Sequence, residues 1–196
     1  MSRDRFFHVI EGALPGPLCD LILAEADEFK LIPATIVKGG DDAEQDDAIR
    51  RADYSYWHAE HWITGLITHF AANANQYLWH FDLTLPQEIQ YVEYPQGGHH
   101  VWHRDEFAVP MDGRYREDYV GLNRKLSIRV GLSDPDEFEG GDTVVRYPLG
   151  HEEPIQPLNS KGSIAIIPSY VPVKINPVAR GKRKYLEAWV LGPQFR

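Results

Sequence analysis

The second half of the chain sets the strongest limit on what it can fold into. From position 88 it breaks into short β-branched or aromatic runs: "EIQYVEY" (88–94), "HHVWHRDE" (99–106), "KLSIRVGLS" (125–133), "GDTVVRY" (141–147), "GSIAIIPS" (162–169) and "KYLEAWVLG" (184–192). Gly, Pro and Asp separate these runs. Many short strands at such spacing, following helices, build an antiparallel sandwich or barrel backed by those helices. The helices themselves read from a 3.6-residue period. "LCDLILAEADEF" (18–29) aligns Leu18, Leu21, Ile22 and Phe29, with Glu25 interrupting the stripe; "HWITGLITHFAANANQYLW" (61–79) aligns Ile63, Leu66, Ile67 and Phe70. "RFFHVIEGAL" (5–14) reads as a strand entering a turn, and 38–51 and 107–124 read as polar loops, the latter over the mouth of a barrel. The expectation is one domain over 1–196, mainly β, with a helical N-terminal part (1–86) and a β core (87–196).

A chain of 196 residues can bury a substantial core. Its 20 basic and 29 acidic side chains leave a net charge of −9. That balance argues against nucleic acid as a partner, because phosphate binding requires a basic surface; "RGKRK" (180–184) is a small local exception. The lone Cys19 cannot form an intramolecular disulfide. No apolar run approaches the roughly 18 residues of a membrane span, and the first residues lack a signal-like apolar stretch. A soluble, cytoplasmic protein is expected. The sequence carries no reading of oligomeric state.

"HHVWHRDE" raises the chemical question. Residues i and i+2 of a strand face one side, so His103 and Asp105 would project together. With one remote histidine they would make the 2-His-1-carboxylate triad of non-haem Fe(II) oxygenases. The bland alternative is a strand-end His and Asp bonded to each other or to solvent. Other groupings carry less: "HAEH" (58–61) lacks the spacing of a zinc protease, and Cys19 is most simply core.

Taken in order, "YVEYPQGGHHVWHRDE", "RKLSIRVGLSDPDEFEGGDTVV" and "GSIAIIPSYVPVKINPVARGKRKYLEAWVLGP" resemble the 2-oxoglutarate/Fe(II) dioxygenase superfamily, in its prolyl-4-hydroxylase-like, PKHD-type hydroxylase branch. "FFHVIEGALPGPLCDLI" and "ANANQYLWHFDL" extend the resemblance over nearly the whole chain. It implies a double-stranded β-helix, a cupin-like jelly roll with the metal at its open end. It also implies Fe(II) and 2-oxoglutarate as cofactors, and a small molecule, amino acid or peptide as substrate. His103 and Asp105 fall on the first two metal ligands, and Arg183 on the basic residue that grips the far carboxylate of 2-oxoglutarate; a guanidinium fork matches a carboxylate bidentately. Glu139-Gly140-Gly141 matches a turn between barrel strands.

The pattern breaks at the third ligand. The family's second histidine lies in a stretch like P-S-x-x-x-H-x-V-x-P-V; here "PSYVPVKINPV" puts Val173 there. His100 stands where the family usually has tyrosine, and Tyr185 where it commonly has a small hydroxyl beside the cosubstrate. Alternation puts Arg183, Tyr185, Glu187 and Trp189 on one face, so Glu187 either lies inside the barrel or reaches water at a bulge or strand end. Glu187 and Trp102 are candidate pocket residues. Three outcomes follow: a substitute ligand completes the iron site (His100 first, then His99, His151 or Glu187), two protein ligands suffice, or the metal is lost and the barrel becomes a binding module. The favoured function is a non-haem iron oxygenase using O2 and 2-oxoglutarate. The alternatives are a metal-dependent oxidative enzyme that does not use 2-oxoglutarate, and a non-catalytic ligand-binding protein.

Overall fold

A computed structural model describes residues 5–37, 43–112 and 116–195. Its first part runs β1 (His8–Ile10), α1 (Gly16–Ala26), β2 (Ile32–Pro33), β3 (Ile36–Val37), β4 (Ala43–Glu44), β5 (Arg50–Arg51), β6 (Asp53–Trp57) and α2 (Trp62–Leu78). The second part is almost all strand: β7 (Ile89–Tyr94), β8 (His99–His103), β9 (Leu122–Gly131), β10 (Phe138–Gly140), β11 (Thr143–Arg146), β12 (Glu152–Pro154), β13 (Ile164–Pro168), β14 (Val173–Ile175), β15 (Val178–Gly181) and β16 (Arg183–Pro193). A seven-stranded sheet has the order β1-β13-β9-β16-β7-β6-β2, and a five-stranded sheet the order β12-β11-β14-β8-β5. All pairings are antiparallel. The mainly β jelly roll with N-terminal helices is the expected architecture.

The large sheet separates an oily layer from a polar one. On its outer face, Ile89, Tyr91, Leu126, Ile128, Val130, Leu186 and Ala188 pack against Cys19 and Ile22 of α1 and Ile63, Ile67 and Ala71 of α2. Fully burying an aliphatic side chain of this kind contributes roughly 1.5–3 kcal/mol. The inner face looks toward the small sheet. There Phe7, Val145, Ile167, Val171 and Val173 close one end of the barrel. Tyr54, Val92, Tyr94, Ile175, Val178 and Tyr185 cluster toward the other.

Several local expectations are corrected. The stretch 1–86 is not only helical, because β6 and β2 extend the large sheet and β5 extends the small one. Helix α1 begins two residues earlier than its apolar stripe, with Pro17 in the first turn where its missing N–H costs nothing. It stops at Ala26, ahead of Phe29. Of the loop expected at 38–51, residues 38–42 lie outside the described residues, and Arg50–Arg51 form a strand. The 107–124 segment is less loose than its polarity suggests: Met111 and Tyr119 are buried against Leu191. Residues 113–115 of that segment lie outside the described residues. No helix among the described residues is long and apolar enough to cross a membrane.

One turn ties the helical layer to the barrel. Gly162 has φ +80°, and its carbonyl accepts a hydrogen bond from Leu14 N at 2.9 Å, just ahead of α1. A Cβ at Gly162 would lie 2.0 Å from the Leu14 carbonyl oxygen. Replacement Gly162→Ala should therefore cost at least about 1–3 kcal/mol from the backbone conformation alone. Urea denaturation should show a lower midpoint at unchanged slope.

Candidate active site

The candidate residues come together because paired strands present their side chains to one face. In the β16–β9 ladder Glu187 lies opposite Arg129, Tyr185 opposite Gly131 and Trp189 opposite Ser127. In the β16–β7 ladder Arg183 lies opposite Tyr94 and Glu187 opposite Gln90. These positions face the polar chamber between the sheets. Across it, β8 delivers His100 and His103 from the small sheet, with Asp105 two residues beyond.

His103 and Asp105 do meet: Nε2 and Oδ1 are 3.6 Å apart. Asp105 is fixed from behind, since its N–H and that of Glu106 donate to the Ser169 carbonyl at 3.1 and 3.0 Å. Val173 lies directly across the β14–β8 ladder from His103. The residue in that position supplies methyl groups and no donor atom.

Glu187 is inside the barrel and does not reach water, at 4% exposure. Its Oε1 accepts from Arg129 Nε at 2.9 Å, and its Oε2 lies 3.5 Å from Arg50 Nη2. Arg129, itself 1% exposed, also places Nη2 at 3.3 Å from Asp105 Oδ2. Arg50 completes the row by donating to Gln90 Oε1 at 3.4 Å. Burial pushes the Asp105 carboxyl up, but Arg129 and the hydrogen bond with His103 outweigh it and hold the group well below the usual carboxylate range. Burial disfavours the Arg129 charge, and Glu187 and Asp105 more than restore it.

For iron this donor set does not fit as it stands. Two ligands are present, and none of the expected substitutes supplies a third. A bulge in β8, where Val173 pairs His103 but Ile175 pairs His100, turns His100 onto the same face as His103. The two rings then stack, with centroids 3.6 Å apart and planes 15° from parallel. An ion shared between them would sit about 1.8 Å off each plane, whereas a metal–imidazole bond of about 2.0–2.1 Å lies in the ring plane. His99 turns its Nδ1 to the Gly97 carbonyl at 3.1 Å, and His151 stacks on Tyr147. Glu187 is committed to two arginines. Among the described residues no group of three His, Cys, Asp or Glu side chains could hold a metal. A divalent ion roughly 4 Å from the Arg129 guanidinium would also meet repulsion on the order of 8 kcal/mol at an effective dielectric constant of 20.

For a carboxylate the donor set does fit. Arg183 is 1% exposed; its Nη1 donates to the Gly141 carbonyl and to Thr143 Oγ1 at 3.1 Å, and its Nη2 has no partner. The Glu139-Gly140-Gly141 turn is built as expected, both glycines having φ +71°. Tyr185 stacks on Tyr94 with centroids 5.6 Å apart, and its hydroxyl is buried without a partner. The Tyr94 hydroxyl lies beside Arg50 without reaching hydrogen-bond geometry. Arg129 Nη1 is unpartnered too. Buried donors left unpaired cost about 1–3 kcal/mol each, more when charged, so a row of them marks a place for acceptors. Trp102, expected near the pocket, instead lies on the other side of the small sheet, with Arg146 at 4.0 Å and Lys174 at 4.8 Å from its ring.

Sequence reasoning did not identify Arg129 or Arg50. The signal for Arg129 was present: it alternates with Ser127 and Gly131, away from the apolar Leu126, Ile128 and Val130. A carboxylate suspected inside the barrel at Glu187 called for such a partner. Arg50 stands in a polar segment and offered no pattern.

Comparison with known proteins agrees with the resemblance read from the sequence. No family model matches the chain. A PKHD-type hydroxylase of Xylella fastidiosa (strain M23) is 32% identical over 108 residues, covering 55% of this chain and 44% of that protein. The chain thus matches less than half the length of such relatives. A prolyl-4-hydroxylase of Pseudomonas putida superposes with a TM-score of 0.71 at 19% identity, covering 94% of this chain and 91% of the other. The viral collagen prolyl hydroxylase of Paramecium Bursaria Chlorella virus-1, solved as a 2-oxoglutarate complex, gives 0.67 at 18% identity over 95% and 96%. The fold is that of the 2-oxoglutarate/Fe(II) oxygenases, and the relatives carry the name of PKHD-type hydroxylases.

The ion network makes two predictions. Replacing Glu187 by Gln should destabilise the protein by about 3–5 kcal/mol, since it takes the paired carboxylate from two buried guanidiniums, Arg129 and Arg50. Thermal melts of the wild type and of Glu187→Gln measure the loss. Asp105 has a folded pKa held below its unfolded value of about 3.9, so its stabilisation is complete above that pH and fades as pH falls toward the folded value. Wild type and Asp105→Asn should therefore differ in stability at pH 6 and converge in acid.

Proposed function

We propose that this protein is a dioxygenase-like oxidoreductase that takes 2-oxoglutarate and acts on a small molecule, amino acid or peptide. The observation that carries this reading is the unpartnered Arg183 Nη2, buried beside the unpartnered Tyr185 hydroxyl at the place where the family resemblance puts the cosubstrate carboxylate. Arg183 would hold that carboxylate. Among the described residues His103 and Asp105 would be the protein ligands for Fe(II), which would supply oxygen activation, and Arg129 would have to turn from Asp105 for the ion to bind. An open cavity of about 280 Å³, lined by Phe6, Arg104, Arg146, Tyr147, Tyr170 and Val171, lies along the segments flanking His103 and Val173. The names of the relatives support the oxidative assignment, and the matched stretch is too short to carry their substrates across.

A second reading, a binding protein on the same scaffold, is favoured by one observation: Arg129 already neutralises Asp105. Anaerobic loading with Fe(II), followed by O2 and 2-oxoglutarate, separates the two through succinate release. The oxidoreductase reading expects 2-oxoglutarate-dependent succinate, reduced by about 10- to 100-fold in Arg183→Ala, the loss corresponding to a charged hydrogen-bonded contact. Wild-type protein that gives no succinate at saturating iron and cosubstrate is the binding protein. In that case Val173→His tests whether one missing imidazole is the cause.

A further inference from the structure

The chamber carries more positive charge than it uses. Arg50, Arg129 and Arg183 are buried at 9%, 1% and 1% exposure, against two buried carboxylates, Asp105 and Glu187. Three guanidiniums and two carboxylates leave an excess of one positive charge with no metal present. Each of the three guanidiniums has one buried nitrogen without a hydrogen-bond partner: Arg50 Nε, Arg129 Nη1 and Arg183 Nη2. Arg183 and Glu187, the cross-strand partner of Arg129, lie on one face of β16 with Tyr185 between them. The Tyr185 hydroxyl, on the same strand face between Arg183 and Glu187, adds a buried hydroxyl without a partner. A neutral ligand would leave the excess charge unanswered. A carboxylate answers both the charge and the donors.

We infer that the chamber binds a small mono- or dicarboxylate without a metal, with Arg129 standing against Asp105 where a metal cation would stand and contributing its free Nη1 to the ligand alongside Arg183 Nη2. This deepens the proposed function and rests on its placement of the cosubstrate at Arg183, but it removes the metal from the binding step. Arg129 does what a resident cation would do for such a ligand: it neutralises Asp105, which would otherwise repel an incoming carboxylate, and it offers positive charge at the depth of the barrel. It can do so because Glu187, its cross-strand partner, holds the guanidinium at that depth at 2.9 Å. The register pairing makes the two residues one device: an arginine without the glutamate would keep only Asp105 against its burial cost, and the glutamate without the arginine only Arg50.

The test is calorimetric titration of the whole protein with 2-oxoglutarate, first in EDTA and then with saturating Mn(II), a divalent ion that does not turn the ligand over. The expected result is binding in EDTA with an affinity that Mn(II) changes by less than about threefold. The charge-balanced double variant Arg129→Gln/Glu187→Gln, which removes one cation together with its cross-strand anion, should lose at least about tenfold in metal-free affinity. The same variant should gain binding of Mn(II) itself, read by the loss of the free-ion electron paramagnetic resonance signal. Circular dichroism confirms that the variant is folded. Should it not fold, Arg183→Ala takes its place in EDTA, where the same tenfold loss is expected. Binding of 2-oxoglutarate only when Mn(II) is present overturns the inference and leaves the oxidoreductase reading standing. Binding in EDTA without succinate formation under Fe(II) and O2 leaves the inference standing and removes that reading. No binding in either condition, or undiminished metal-free binding in the variants, overturns the inference.

Discussion

Everything in the chamber is arranged around one buried guanidinium. Arg129 has no access to water, so it can exist at that depth only because Glu187 and Asp105 flank it. Taking such ions out of water costs several kcal/mol each, and the cost is recovered only with close, well-oriented partners. That requirement reaches through the fold. Glu187 must sit opposite Arg129, which fixes the register of β9 against β16. A slip of one residue would swap the oily and polar faces of the large sheet and pull Ile128 and Leu186 away from the helices. Asp105 must sit at the far side, which the Ser169 carbonyl secures by holding two successive N–H groups. The polar interior and the hydrophobic exterior of the sheet are thus set by the same strand pairing.

The consequence for chemistry is a site that resembles an iron centre in outline and differs from it in charge. His103 and Asp105 stand side by side, and Val173 lies across the ladder from His103 with no donor atom to offer. What meets Asp105 is a guanidinium. His100, freed by the β8 bulge to face inward, spends its ring on stacking with His103. The differences are concordant. The valine at 173, the cation at 129 and the anion at 187 all bear on the balance of one small volume, and Arg183 with its spare Nη2 remains available to a carboxylate.

How much of this was legible in the sequence depended on how local the signal was. The long strands β7, β9, β13 and β16 announced themselves by β-branched and aromatic residues, and α2 by its 3.6-residue stripe. Strands β14 and β15 were hidden in "PVKINPVARG", where prolines suggest a loop; both are short, and they pair with strands thirty or more residues away. β5 is two residues long in a polar stretch and exists through pairing with β8. The inward position of Glu187 followed from strand alternation, whereas its partner did not, because Arg129 sits within a run read for its apolar residues. Trp102 was placed on the wrong side because the bulge in β8 breaks simple alternation between His100 and His103. The His103–Asp105 proximity needed only local geometry; the ion that answers Asp105 comes from a strand more than twenty residues away.

The central claim is that Arg129 holds the metal's place against Asp105 while a carboxylate occupies the chamber. The most direct measurement is a crystal structure of the protein grown with 2-oxoglutarate and Mn(II) together. The account predicts ligand density with a carboxylate on Arg183 Nη2 and Arg129 Nη1, and Arg129 still within ion-pair distance of Asp105. A metal ion bound by His103 and Asp105, with Arg129 turned away and the ligand coordinated to that ion, would contradict it.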